Sequence, residues 1–138
     1  MTSVSFKPIA APSAPAYSSD MIGAGLRAFF NIAETWQVSN AQAMLLLGSP
    51  SRSTFQKWKS GDTKGVTASR DLATRISYVL GIFKALEIIY QRPEHADRWV
   101  AAPNLAFGGQ SALERMLAGS ITDLAAVRDY LDRVRGGW

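Results

Sequence analysis

Apolar residues recur at intervals of three and four along most of the chain after residue 18. This spacing predicts amphipathic helices, because it places the apolar side chains on one face of a helix. The predicted helices cover about 20–35, 39–47, 52–60, 67–91, 93–99, 111–118 and 121–134. No segment has strand periodicity and no internal repeat is seen. The predicted fold class is therefore all-α.

Residues typical of helix ends separate these segments. Ser39 with Gln42, and Ser111 with Glu114, have the spacing of a capping box, in which each side chain binds the backbone of the other residue. Thr67 is the predicted cap of the long helix at 67–91. The segment between the fifth and sixth helices is irregular, with turn signals at its two ends. These are Pro103, Asn104, Gly108 and Gly109.

The middle of the chain has the pattern of a helix-turn-helix. Gly48 ends one helix in the left-handed conformation, and the connection at 49–51 is short. In the helix that follows, Phe55 and Trp58 are three residues apart and therefore share its inner face, while polar and basic residues lie elsewhere. Gly61 ends this helix. A short connection followed by a helix with an aromatic inner face and a basic outer face is typical of DNA-binding modules.

The two longest predicted helices after this module differ in their apolar faces. The helix at 67–91 has a wide apolar face, which suits the centre of a bundle or the core of a dimer. The last helix buries a narrower stripe and exposes two oppositely charged pairs, Arg128 with Asp132 and Asp129 with Arg133. Its predicted buried residues are Leu124, Val127, Leu131 and Val134.

The composition excludes several classes of protein and of chemistry. The chain has 138 residues, 47% of them hydrophobic, which excludes wholesale disorder and predicts one compact unit or two small ones. It has no cysteine and a single histidine, His95, so disulfides, thiol catalysis and the usual zinc sites are excluded or disfavoured. We therefore expect no enzyme, no metal and no cofactor. A small hydrolase, as an alternative, would need a nucleophile and a base that the sequence does not offer.

The beginning of the chain predicts a tail without a fold. Residues 1–18 are rich in Ala, Pro and Ser, and prolines interrupt any apolar core of signal-peptide length. No apolar run approaches the roughly 18 residues that cross a bilayer. We therefore expect a soluble cytoplasmic protein with three parts: a tail at 1–18, a helix-turn-helix module at 19–65 and a helical module at 66–138, joined by the long helix.

The net charge is concentrated in one segment. The formal charge is +4, and the residues before position 52 and after position 75 are each balanced. The whole excess therefore lies in residues 52–75, which we call the basic window. Its cations are Arg52, Lys57, Lys59, Lys64, Arg70 and Arg75, and its only anions are Asp62 and Asp71. A concentrated basic patch is typical of a phosphate-binding surface, although a charge run is also often no more than a solvated face.

The basic window and the helix-turn-helix together predict specific DNA contacts. Early exposed positions of a recognition helix enter the major groove, so we expect base-edge contacts there. These positions are Arg52, Ser53, Gln56 and Lys57. The remaining exposed cations are expected to hold phosphates, which sets affinity without sequence choice. They are Lys59, Lys64 and Arg70.

The C-terminal half resembles a known family. The stretch WVAAPNLAFGGQSALE at 99–114, followed by Gly119, Leu124, Val127, Tyr130 and Leu131, resembles the toxin-binding domain of the Xre/MbcA/ParS antitoxins. Those proteins place an Xre-like helix-turn-helix before this module, in the same order, so the resemblance covers about residues 20–138. The sequence departs from the family at Ala112, where proline is expected, and in a longer turn before the third helix, which bears on the base-reading positions.

The resemblance implies a partner and a mechanism. The partner is a RES-domain toxin, which resembles ADP-ribosyltransferases and either degrades NAD or transfers its ADP-ribose. On this resemblance, the antitoxin is expected to bind the toxin, to block its active site with its C-terminus and to repress its own operon. The wide apolar face of the helix at 67–91, and the need of helix-turn-helix proteins to span two half-sites, predict a homodimer within the toxin–antitoxin hetero-oligomer. The residues expected to contact the toxin are Trp99, Asn104, Phe107, Arg128, Tyr130, Arg135, Gly136, Gly137 and Trp138.

Two alternatives remain open from the sequence. Trp138, at the end of a glycine joint, either enters the toxin's NAD pocket, with Arg135 pairing with groups of the toxin, or folds back onto the chain's own core. The whole chain is either an antitoxin or a stand-alone transcription regulator, in which the C-terminal module only dimerises or senses a ligand.

Overall fold

The computed structural model of the chain describes residues 18–66 and 69–136, and within them the fold is helical. Seven α-helices and one short 3-10 turn follow one another, and no strand occurs in these two ranges. The prediction of an all-α fold is confirmed. The helices are α1 (Ser19–Thr35), α2 (Asn40–Leu46), α3 (Arg52–Lys59), α4 (Arg70–Ile89), α5 (Pro93–Ala101), α6 (Ala112–Met116) and α7 (Ile121–Val134), and the 3-10 turn (Leu105–Phe107) lies between α5 and α6.

Local capping sets where most helices begin. Both predicted capping boxes form: Ser39 with Gln42 starts α2, and Ser111 with Glu114 starts α6. Ser120 makes a third box, with Asp123, at the start of α7. Because these hydrogen bonds involve residues three apart in sequence, they are available as soon as the helix turn forms.

The long helix is shorter than predicted at both ends. Its cap is Ser69, whose hydroxyl accepts a hydrogen bond from the Leu72 backbone N–H at 3.0 Å, so α4 begins at Arg70 and not at 67. The predicted cap, Thr67, lies outside the described residues. The helix ends before Tyr90, whose backbone is extended (φ −109°, ψ 127°), so the predicted end at 91 is also wrong.

Helix α4 is central to the packing. It lies against α1 in the first half of the chain and against α7 in the second half. The buried side chains form one continuous apolar cluster, so the two halves share a core. Each of the seven helices contributes at least one fully buried large residue, which fixes their relative positions: Phe29 of α1, Leu46 of α2, Phe55 of α3, Ile82 of α4, Val100 of α5, Met116 of α6 and Leu131 of α7.

Three predictions about individual side chains differ from the structure. Val134, predicted to be buried, is 49% exposed, because it lies in the last turn of α7, beyond the last buried position at Leu131. Trp58 is only half-buried, whereas Phe55 is completely inside the core. The predicted ion pair between Asp129 and Arg133 does not form; Arg128 with Asp132 is the one ion pair in which both partners belong to α7, all of which the structure describes.

Candidate functional site

Helix α3 presents an open polar face. Ser51 caps its start by accepting a hydrogen bond from the Thr54 backbone N–H. On the inner side, the ring of Phe55 meets Phe30 of α1 edge to face, at 5.5 Å between ring centroids, which anchors α3 to α1. On the outer side, the four predicted base-reading residues are all exposed: Arg52, Ser53, Gln56 and Lys57. Three of these, at positions 53, 56 and 57, lie on one face.

The predicted phosphate-binding cations lie around this face. Lys59, in the last turn of α3, donates a hydrogen bond from Nζ to Oδ1 of Asn40, the first residue of α2, at 2.5 Å. Lys64 is exposed in the loop after α3, and Arg70 is exposed at the first position of α4. The side chain of Lys59 therefore joins the end of α3 to the start of α2, while the other two cations are open to solvent.

One cation of the basic window is not on its surface. Arg75 is 8% exposed and its Nε donates to Oδ2 of Asp71 at 2.8 Å. Its Nη1 lies 3.5 Å from the backbone oxygens of Leu45 and Leu46, at the end of α2. Gly48 makes this approach possible: its φ is +90°, and a Cβ there would lie 2.9 Å from Nε of Arg75.

Arg75 therefore joins α4 to the helix-turn-helix. A buried guanidinium at the C-terminal end of a helix satisfies carbonyl groups that have no partner within the helix. Because Arg75 and Asp71 form a neutral pair, the excess of four positive charges resides on exposed residues of the window. The exposed surface of the basic window therefore keeps the predicted excess of four positive charges, although Arg75 does not contribute to it.

Three aromatic side chains meet in the C-terminal half, and we call them the aromatic cluster: Trp99, Phe107 and Tyr130. The rings of Trp99 and Tyr130 are stacked, with centroids 6.2 Å apart and planes at 12°. Phe107 meets both rings edge to face, and it is the most buried of the three. The cluster ties α5, the 3-10 turn and α7 together, so these predicted toxin contacts also have a role within the fold.

A tightly bonded loop leads from α5 to α6, and we call it the 103–111 loop. Asn104, predicted to contact the toxin, uses its side chain within the loop: Oδ1 accepts a hydrogen bond from the Ala106 backbone N–H at 2.8 Å. Gly108 and Gly109 both have positive φ, as the predicted turn requires. The loop holds Leu105 with 93% of its surface exposed, and the sequence pattern did not single out this residue.

Arg128 lies in the contact between α4 and α7. Its Nε donates to Oδ1 of Asp132 at 3.0 Å, as predicted from their spacing. Its guanidinium passes over Gly81 of α4, where a Cβ would overlap Nη1. The missing side chain at Gly81 therefore provides the space in which this predicted toxin-binding residue is held.

The end of α7 leads toward the chain terminus. Arg135 is exposed at the C-cap, and its backbone N–H donates to the carbonyl of Leu131 at 2.9 Å. Gly136 follows with φ +102°, a left-handed conformation that turns the chain away from the helix. Gly137 and Trp138, both predicted toxin contacts, lie outside the described residues.

A charged hydrogen-bonded group joins α6 to α7. Arg115 Nε donates to Oδ1 of Asp123 at 2.9 Å, and the Ser120 hydroxyl donates to the other carboxylate oxygen at 2.7 Å. The Ser120 hydrogen bond, followed by the contact with Arg115, holds the pKa of Asp123 below its ordinary value. The carboxylate is thereby kept ionised, as its capping role at the start of α7 requires.

Residues 18–66 and 69–136 contain neither a membrane span nor a metal-binding cluster. No helix there is long and apolar enough to span a bilayer. In the same residues, no group of three or more His, Asp or Glu side chains comes together in a way that would hold a metal ion.

Comparison with known proteins identifies both halves of the chain. A family model described as "Antitoxin Xre-like helix-turn-helix domain" matches residues 16–81, and one described as "Antitoxin Xre/MbcA/ParS C-terminal toxin-binding domain" matches residues 85–137. The chain is also 46% identical, over 125 residues, to a protein of Sinorhizobium fredii (strain NBRC 101917 / NGR234) described as "Uncharacterized protein y4oB". That match covers 91% of this chain and 95% of the relative. No solved structure matches significantly.

Proposed function

Because the chain belongs to the Xre/MbcA/ParS antitoxin family, we propose that it neutralises a RES-type toxin by blocking its active site and that it represses its own operon by binding DNA. The observation that carries the proposal is the order of the two matched modules, a helix-turn-helix and then a toxin-binding domain, on one continuous core. The toxin would be an enzyme that degrades NAD or transfers its ADP-ribose. We assign no catalytic step to the antitoxin itself.

The DNA contacts are proposed for the polar face of α3. A recognition helix enters the major groove with its early exposed residues, which here are Arg52, Ser53, Gln56 and Lys57. An arginine or lysine can contact guanine, and a glutamine can contact adenine, through two hydrogen bonds each. Lys59, Lys64 and Arg70 would hold the phosphates on either side. These side chains are exposed and lie on the positively charged part of the surface.

We propose that the C-terminal end of the chain blocks the active site of the toxin. Arg135 and Gly136 are exposed at the end of α7, and the φ of +102° at Gly136 directs the backbone away from the helix. Trp138 would fill apolar space in the NAD pocket, and Arg135 would pair with acidic or substrate-binding groups there. The substrate would then be excluded sterically and electrostatically.

We also propose a homodimer. The groove between α1 and α4 has an apolar floor and a volume of about 390 Å³, and Ile32, Leu80 and Phe83 contribute to it. A second copy would cover it, and helix-turn-helix dimers read two half-sites about 34 Å apart. Sedimentation equilibrium at micromolar concentration should give twice the mass of one chain, and a monomer would contradict the proposal.

The neutralisation proposal is tested by capture and by growth. The chain, tagged at its N-terminus, should retain a RES-type protein from a lysate of its native host, in a fixed ratio determined by mass spectrometry. Expression of that protein alone should arrest growth, and co-expression with this chain should restore it. Recovery of the chain alone, or with DNA only, would instead favour a stand-alone transcription regulator.

Removing two cations should weaken DNA binding without changing its sequence preference. In the double variant Lys59→Ala/Lys64→Ala, affinity for operator and for unrelated DNA should fall together, because phosphate contacts carry no sequence information. The slope of log affinity against log salt should become shallower by about 0.9 for each phosphate that the protein no longer neutralises. Fluorescence anisotropy at several salt concentrations measures both quantities.

The control is Arg98→Ala, which removes an exposed arginine of α5 outside both the basic window and the groove between α1 and α4. Its salt slope should equal that of the unaltered chain. An unchanged slope in the double variant would contradict the phosphate assignment.

A further inference from the structure

Leu105 is the most exposed of the large apolar side chains in the part of the chain that the structure describes. It is 93% exposed, whereas Met21, the next, is 61% exposed. Single apolar residues on a surface are common and need no explanation when they lie on a helix whose other face is buried. Leu105 is different, because it lies in a loop whose hydrogen bonds fix the backbone on both sides of it.

The 103–111 loop fixes the backbone on both sides of Leu105. The Asn104 side chain binds the Ala106 N–H, and the Asn104 carbonyl accepts hydrogen bonds from Phe107 and Gly109, each at 3.0 Å. The Asn104 N–H donates to the carbonyl of Gln110, also at 3.0 Å. The ends of the loop are therefore held together by a network of backbone bonds, and Leu105 has little backbone freedom left to lose on binding.

The aromatic cluster holds the same loop from below. Phe107 is buried between Trp99 and Tyr130, two residues after Leu105. In a turn this tight, side chains two positions apart point in different directions, so burying Phe107 directs Leu105 outward. The leucine is exposed as a consequence of the fold and not because the segment is loose.

The chemistry of the loop suits the centre of a protein interface. No charged residue lies between Arg98 and Glu114, and the exposed part of the loop consists of small and apolar residues around Leu105 and one uncharged polar residue, Gln110. The fully buried centre of an interface is depleted of charge, and charged residues lie at its rim. The loop also lies wholly within the region that matches a toxin-binding domain, residues 85–137.

We propose that Leu105 is an anchor that inserts into an apolar pocket on the surface of the toxin, at a place separate from the active site that the C-terminus would block. This inference rests on the proposed function. It assigns different roles to two parts of the antitoxin: the 103–111 loop contributes most of the affinity for the toxin, and residues 135–138 inhibit the toxin. The partner surface must therefore offer an uncharged pocket of the size of a leucine side chain.

The test compares Leu105→Gln with Leu105→Met and with Ile88→Gln. Glutamine is similar in size to leucine but carries a polar group into the pocket, whereas methionine keeps the apolar character. Ile88, on α4, is the matched control, because it is a 53% exposed apolar residue within the same matched region. The probe is the captured RES-type toxin carrying a substitution that inactivates it, and titration calorimetry gives the dissociation constants.

We expect Leu105→Gln to raise the dissociation constant by about 30-fold or more, as for a central interface residue. Leu105→Met and Ile88→Gln should stay within about three-fold of the unaltered chain. Circular dichroism should show the same helix content in all variants. At concentrations that saturate the active toxin, Leu105→Gln should still inhibit it fully, because its C-terminus is intact.

Three results would overturn the proposal. If Leu105→Gln binds as tightly as the unaltered chain, Leu105 is not an anchor, although the proposed function stands. If Leu105→Gln halves the mass of the antitoxin in sedimentation without toxin, the leucine is a contact between two copies. If the unaltered chain does not bind the toxin at all, the proposed function fails and the anchor fails with it.

Discussion

A chain that ends at Val134 is expected to bind the toxin and to leave it fully active. The deletion removes Arg135, Gly136, Gly137 and Trp138, which the proposal assigns to the block of the NAD pocket. It leaves every buried residue of α7 in place, the last of which is Leu131, so the helices should remain folded. Binding should persist, because the 103–111 loop is unchanged. The measurements are NAD consumption by the toxin, growth on co-expression, and helix content by circular dichroism.

Two single variants separate the parts of this block. Trp138→Ala removes the apolar side chain that would fill the pocket, and Arg135→Gln removes the charge while keeping most of the length of the side chain. Each should inhibit less well at a given concentration than the unaltered chain, and neither should lose inhibition as completely as the deletion. A truncated chain that protects cells fully would refute the block by the C-terminus.

The deletion and Leu105→Gln are expected to have opposite effects. The first should bind without inhibiting, and the second should inhibit only when enough of it is present to bind. If the same residues provided both affinity and inhibition, each variant would lose toxin binding and toxin inhibition together. The pair of variants therefore tests the division between the two parts independently of how strong either effect is.

The sequence predicted the helix ends best where capping is local. Helix α7, predicted at 121–134, lies at Ile121–Val134, because Ser120 caps its start and Gly136, with φ +102°, turns the chain away after its end. The same reasoning failed at α4, where Ser69 caps the helix instead of Thr67. Both residues have a hydroxyl that can cap a helix, and the choice between them depends on packing against the rest of the fold.

The sequence could not predict which charged and apolar side chains the tertiary structure hides or exposes. Arg128 is held over Gly81, a position 47 residues earlier in the chain, and no spacing rule connects the two. Leu105 follows Asn104 in a segment without periodicity, so its exposure depends on the burial of Phe107 in the aromatic cluster. The sequence feature that could have indicated it is the order of residues in the loop: the capping residue Asn104, then Leu105, then the aromatic Phe107 and two glycines.

Two arginines of the basic window should give opposite results when each is replaced by methionine. Arg75→Met should lower the free energy of unfolding by about 2 kcal/mol, because hydrogen bonds to charged groups each contribute about 1.5–3 kcal/mol and Asp71 keeps access to water. Arg70→Met should leave stability within about 0.5 kcal/mol, because that side chain is exposed. Urea denaturation followed by circular dichroism measures both values.

The same two variants distinguish a cation that supports the fold from one that contacts DNA. Arg70→Met should make the salt dependence of DNA binding shallower by about 0.9, whereas Arg75→Met should leave the slope of the folded protein unchanged. Methionine retains the apolar stem of either side chain, so packing is disturbed little in both. A shallower slope for Arg75→Met would mean that its guanidinium leaves Asp71 to hold a phosphate. A loss of stability in Arg70→Met alone would mean that the roles are reversed. We propose that Arg75 takes no part in DNA binding because it is held between α4 and the end of α2. Either result would contradict that explanation.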